Sequence, residues 1–196
     1  MEFESNSSEE GDAPCLGSVA VIGPGLLGGS VALASKHVKS IKTVSLWARR
    51  KEALAELNKS EAADIISDDV AEVVGGSDLV VLATPVGALE DLVRMILLHL
   101  KEGAVITDLC SVKAPAVNIV DTIISQSARN DISFVGAHPM AGSESGGFEN
   151  ARADLFSGAV CAVTPGESSI KESEELVVNF WQSIGCRCVK IDCIAF

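Results

Sequence analysis

The stretch that most restricts the possible folds of this chain is Val19-Ala20-Val21-Ile22-Gly23-Pro24-Gly25-Leu26-Leu27-Gly28-Gly29-Ser30. It opens with a continuous apolar run, as expected of a strand covered on both faces, and a helical pattern starts at Leu26. The G-x-G-x-x-G triplet lies between the two, and each glycine has its own task there. Gly23 can take the tight turn, Gly25 has no Cβ to obstruct a pyrophosphate, and Gly28 lets the helix close on the strand. The first helical turn, with Leu26 and Leu27, offers unpaired N–H groups and a partial positive charge to phosphates. Without its flanks the triplet would be a plain turn of small residues that helps packing. With both flanks it reads as a dinucleotide-binding turn.

The rest of the chain repeats strand and helix in alternation. Strands are predicted at Ser18–Ile22, Thr43–Trp47, Leu79–Ala83, Ala104–Thr107, Phe134–Ala137, Ala159–Val163 and Cys188–Ile191. Helices fit between them at Leu26–Ser35, Lys51–Asn58, Val86–Leu100, Val112–Ser127 and Ser168–Ile184. This order predicts an α/β fold, a doubly wound, Rossmann-type, mostly parallel sheet with helices on both faces. At 196 residues the chain has room for one such domain, over 17–196. Residues 1–16 read as a disordered acidic tail, because Glu2, Glu4, Glu9, Glu10 and Asp12 stand among serines with no basic residue.

Charge and composition exclude several classes of partner. The formal net charge of −12 repels nucleic acid and anionic lipid. No run approaches the ~20 apolar residues of a membrane span, and the N-terminus lacks the basic start of a secretory signal, so a cytoplasmic protein is expected. Of six cysteines, only Cys186 and Cys188, with Cys193, resemble a ligand cluster. The others stand alone in apolar or loop segments, so reduced buried thiols and no metal are expected.

The end of the second strand bears on which dinucleotide is held. An acidic residue there usually takes the ribose hydroxyls of NAD, but here Ala48 is followed by Arg49, Arg50 and Lys51. Guanidinium groups suit the 2′-phosphate of NADP, so NADP is expected, with NAD as the alternative; three bases opening an exposed helix is the simpler account.

Ligands of such a sheet bind beyond the carboxyl ends of its strands. Three ends carry candidate residues: Thr84-Pro85-Val86, Thr107-Asp108-Leu109-Cys110-Ser111-Val112-Lys113, and Gly136-Ala137-His138 with the loop running to Phe148. His138 is one of three histidines, and an imidazole can accept a hydroxyl proton while a hydride leaves. A histidine before proline is also a common structural turn residue. Ser111, just before Val112, suits a helix N-cap as well as a polar contact.

Four motifs carry a resemblance to a known family: GPGLLGGS (23–30), ATPV (83–86), TDLCSVK (107–113) and above all GAHPMAGSESGGFENA (136–151). From about Gly17 to Asp192 the chain resembles the nucleotide-binding half of prephenate/arogenate dehydrogenases. The resemblance implies NAD(P)-dependent oxidative decarboxylation of prephenate or arogenate in tyrosine biosynthesis. It implies that His138 accepts the ring hydroxyl's proton and that Ser111 hydrogen-bonds the hydroxyl. Ser143 and Glu144 match positions lining the substrate site, and Thr84 and Pro85 match positions near the cofactor. The family continues into a helical domain that supplies dimer contacts and an arginine for the substrate carboxylates. The chain ends at Phe196, so that domain is expected to be absent and the oligomeric state is left open. Two alternatives stand beside this reading: an NADP-binding remnant without turnover, and another Rossmann reductase of unknown substrate.

Overall fold

The computed structural model describes residues 16–191. Strands β1 (Gly17–Ile22), β2 (Ile41–Trp47), β3 (Ile65–Ser67), β4 (Leu79–Leu82), β5 (Val105–Asp108), β6 (Ser133–Pro139), β7 (Val160–Pro165) and β8 (Arg187–Lys190) form one sheet. Its order is β3-β2-β1-β4-β5-β6-β7-β8. Helices α1 (Leu26–Ser35), α2 (Lys51–Leu57), α3 (Val70–Val74), α4 (Leu89–Leu97), α5 (Lys113–Ser125) and α6 (Lys171–Ser183) cover it. Every described strand pair is parallel except β6 with β7.

Alternation along the strands divides the apolar side chains between two cores. Val19 and Val21 of β1 and Leu79 and Val81 of β4 enter one core, with residues of α1 and α6. Ala20, Ile22, Val80 and Leu82 enter the other, with residues of α3, α4 and α5. A sheet that buries both faces needs apolar residues in succession, and this explains the unbroken runs in the sequence. On the first side α6 is fixed by Trp181, which is fully buried and meets Phe156 and Phe180 edge to face at 5.6 and 5.3 Å.

The reversal at β7 follows from its connection. A parallel neighbour requires a crossover back to the other end of the sheet, as a helix usually provides. Between β6 and β7 the chain makes only a short 3-10 turn at Phe148–Asn150, so β7 starts at the edge where β6 ended and runs back.

Several predicted boundaries shift. β3 and α3 were not anticipated, since they are 3 and 5 residues long and too short to show a period. The helix predicted over Val86–Leu100 begins as a 3-10 turn at Val86–Ala88, and the α-helix occupies Leu89–Leu97. α6 starts three residues later than predicted. The Asp121 carboxylate accepts from the N–H groups of Glu167 and Ser168 at 2.7 and 3.2 Å and holds that segment as a loop. Residues 1–15 of the predicted tail, including Cys15, lie outside the described residues, as do Cys193 and the other residues of 192–196. Leu16, the last residue assigned to that tail, is 2% exposed and packs in the first core.

The glycines of the turn differ in what they tolerate. A Cβ on Gly28 would lie 1.9 Å from the carbonyl oxygen of Gly23, whereas one on Gly25 would meet nothing within 4 Å. Gly28→Ala is therefore expected to destabilise the chain by about 1–3 kcal/mol in urea unfolding. Gly25→Ala is expected to stay within about 0.5 kcal/mol of the wild type.

Candidate functional site

The sheet changes direction between β1 and β4, and there the glycine turn opens toward the carboxyl edge. Gly23 sits at φ +109°, a conformation costly for a side chain, and a Cβ there would lie 2.8 Å from the Ala83 carbonyl oxygen. Gly25 is the N-cap of α1. It offers no side chain to the helix amides, and no acidic residue stands in the first turn. The N–H groups at Leu26 and Leu27 thus keep their positive end for an anion. Gly29 has a separate reason to be glycine, since its Cβ would lie 2.6 Å from the Phe148 ring and 2.8 Å from Ala151.

A cleft of about 710 Å³ runs from this turn along the ends of β2 and β4. Gly23, Gly25, Arg49, Arg50, Thr84 and Pro85 line it, all of them sequence-predicted. Trp47 and Phe148 line it too, and neither was singled out in the sequence. Trp47 is held by its indole N–H, which donates to the Asp68 carbonyl at 3.0 Å. Arg49 and Arg50 are exposed, and neither forms an ion pair among the described residues. The buried Thr84 hydroxyl has no hydrogen-bond partner among the described residues. An elongated cleft with a Cβ-free turn, an uncapped helix start, an unused hydroxyl and two arginines fits an NAD(P) molecule in shape and chemistry.

Leu26, Leu27, Gly28, Ser111, His138, Ser143 and Glu144 do not line this cleft. Leu26 is buried in the core and Leu27 packs against it, so they can serve a ligand only through their amides. Ser111 is exposed and lies just past β5. α5 begins at Lys113 with Val112 as its N-cap, so the expected capping role of Ser111 is not found. Ser143 and Glu144 are exposed in the loop after β6, where the Ser143 hydroxyl accepts from the Ser145 N–H at 3.3 Å.

His138 lies in β6, one position before its end, and is half-buried. Behind it is an ion pair between the two charged residues of the 107–113 candidate segment, to which no role was assigned from the sequence. Asp108 closes β5, Lys113 opens α5, and both side chains are 0% exposed. Burial holds the His138 imidazole below its ordinary value of 6.5, the Lys113 ammonium pushes the same way, and the Asp108 carboxylate opposes both. Burial, then the Asp108 carboxylate, pushes the neighbouring Cys110 thiol up to about 12, so it is a packing group rather than a nucleophile.

The cysteine expectation needs one correction. Cys161 does not stand alone, because β7 and β8 set it in register with Cys188, and the thiols of Cys186 and Cys188 lie beside it and raise its pKa. The four described cysteines are free thiols. Among the described residues, no helix is long and apolar enough to cross a membrane.

The model of the prephenate dehydrogenase nucleotide-binding domain matches residues 31–190. The chain belongs to that family. It is 31% identical over 169 residues to the cyclohexadienyl dehydrogenase of Zymomonas mobilis, covering 86% of this chain and 56% of that protein. With the prephenate dehydrogenase of Bacillus subtilis it shares 30% over 179 residues, covering 89% and 46%. Thus it spans about half the length of the curated relatives it matches. Its fold is similar to prephenate dehydrogenase from A. aeolicus, solved with hydroxyphenyl propionate and NAD+. The TM-score is 0.80 at 26% identity, over 90% of this chain and 60% of that one. The fold also matches Synechocystis arogenate dehydrogenase, with a TM-score of 0.79 over 89% of this chain and 59% of that one, at 22% identity.

The half-buried histidine gives a stability signature. With its folded pKa below 6.5, the unfolded chain binds more protons than the folded one between the two values. Stability is therefore lost as pH falls below about 6.5. Urea unfolding at about pH 7.5 and 5.5 is expected to show a smaller acid loss for His138→Asn than for the wild type.

Proposed function

We propose that this chain is the coenzyme-holding part of an NADP-preferring oxidoreductase of tyrosine biosynthesis, which oxidises and decarboxylates prephenate or arogenate. The products are 4-hydroxyphenylpyruvate and tyrosine respectively. One observation carries the reading: a complete glycine cradle and an imidazole kept in its basic form share the carboxyl edge of one sheet, in a chain of the prephenate dehydrogenase family.

When bound, an oxidised nicotinamide supplies the acceptor for a hydride from the ring carbon of the substrate. The chain's own contribution is positioning and the management of one proton. The amides of Leu26 and Leu27 hold the diphosphate beside Gly25, and the Thr84 hydroxyl and Pro85 border the coenzyme. Arg49 and Arg50 take the 2′-phosphate. His138 receives the proton of the ring hydroxyl on an imidazole nitrogen, and Ser111 orients that hydroxyl. The depressed pKa of His138 keeps it able to accept a proton at neutral pH. Ser143 and Glu144 border the substrate from the loop beyond β6. The two carboxylates of either substrate also need cationic partners, and the net charge of −12 provides no general attraction for them.

Calorimetry and turnover test the reading together. The purified chain is expected to bind NADP+ more tightly than NAD+. Arg49→Ala with Arg50→Ala should weaken NADP+ about tenfold to a hundredfold and leave NAD+ nearly unchanged, as expected for lost charge-assisted bonds. His138→Asn should keep coenzyme affinity and lower any turnover of prephenate or arogenate by about 10²–10⁴. Failure of the wild type to bind either coenzyme overturns the proposal. Full-rate oxidation by His138→Asn overturns the family-derived role of the histidine.

A further inference from the structure

We propose that Asp108 and Lys113 are positioning residues for His138: as a buried pair they continue the β5–β6 ladder past its end and fix the peptide from which the imidazole is hung. The inference rests on the dehydrogenase reading above and adds to it two residues that touch neither cleft nor solvent.

The register shows why the pair is needed. The β5–β6 ladder ends at Thr107 with Val135, so the next residue of β6 facing that side, Ala137, has no partner in β5 and is in register only with Val163 of β7. Both of its backbone groups are met by the ion pair instead. The Ala137 N–H donates to Asp108 Oδ1 at 2.9 Å, and Lys113 Nζ donates to the Ala137 carbonyl at 2.7 Å. The pair is closed on itself as well, since Lys113 Nζ donates to Oδ1 and Oδ2 of Asp108 at 2.6 and 2.5 Å. Asp108 Oδ2 also accepts from the Cys110 N–H at 3.0 Å. All three ammonium protons thus have acceptors, and the carboxylate has two backbone donors besides the lysine.

A neutral side chain could fill this space at less desolvation cost, and a buried pair earns little stability by itself. What the pair does supply is a rigid anchor next to His138, where a displacement of about 1 Å costs on the order of a hundredfold in rate. Among the described residues, Lys113 from α5 and Asp108 from β5 act on the ring by charge, while β7 places the uncharged Ala162 in register with it. Lysine and aspartate therefore act on the imidazole with opposite sign.

The test uses the full chain with isotope-labelled histidine. Its three histidines are His37, His99 and His138, and His138→Asn identifies the third resonance. Lys113→Met removes the ammonium that pushes the imidazole down, and is expected to raise the His138 titration midpoint. Asp108→Asn with Lys113→Met removes both charges, so the midpoint should return most of the way to the wild-type value. This double variant leaves no uncompensated buried charge and stays informative if the single variant does not fold. In it the backbone order parameter of the His138 amide is expected to fall from ~0.85 to below ~0.6, since Ala137 has lost its lysine. Coenzyme affinity should change less than about threefold in both, because neither residue lines the cleft.

An unmoved or lowered midpoint in Lys113→Met, or an equally rigid His138 amide in the double variant, overturns the positioning role while coenzyme binding stands. If the wild type binds neither coenzyme, the dehydrogenase reading falls and this assignment with it.

Discussion

An ammonium and a carboxylate, both withdrawn from water, tie the end of β5 to the end of β6 where the pairing of these two strands has run out. Two opposite charges in a protein interior are tolerated only when each remaining hydrogen-bonding position is filled, and here nearly all are filled by backbone. The arrangement is therefore geometrically demanding: loss of either member strands the other, so the two edges can meet in one way. His138 and the loop that follows it inherit their place from this junction.

The remaining polar groups gather at the same edge for a simpler reason. Parallel strands all deliver their carboxyl ends to one side, and the crossover between β1 and β4 leaves a gap there. The glycine turn fills the floor of that gap, the end of β2 brings Trp47, Arg49 and Arg50 along one side, and the end of β4 brings Thr84 and Pro85 along the other. The acid/base candidate stands two strands further on, at β6. The candidate coenzyme cleft and the candidate acid/base residue thus occupy separate stretches of one rim, held at fixed spacing by the sheet.

Much of this was legible in the residues. The apolar run into Gly23 and the pattern from Leu26 located β1 and α1 to within a residue, because burial on both faces leaves a strong compositional trace. His138 stood out because histidines are few and the loop behind it is rich in glycine. The rest depended on distance in three dimensions. Asp108 and Lys113 fell within a candidate strand end and a family motif, but only the fold shows that they pair and that both are 0% exposed. Phe148 lies over a hundred residues from the helix it touches, and no local pattern could pair it with Gly29. Cys161 joined Cys188 only through the register of β7 with β8. β3 and α3 were lost to brevity, since a period cannot be read from so few residues.

The segment returning from β6 to β7 is fastened along its length as well as at its ends. Beyond His138, the Met140 N–H donates to the Val160 carbonyl at 2.7 Å, so the two strands clasp its root. Midway, Phe148 rests on Gly29, and the Arg152 N–H donates to the Ser30 hydroxyl at 3.0 Å. A span pinned at root and middle behaves as a strut more than as a flap. Between those fixings residues 142–147 are exposed and bonded only locally, so the free stretch of the segment is bounded by β7 on one side and by α1 on the other.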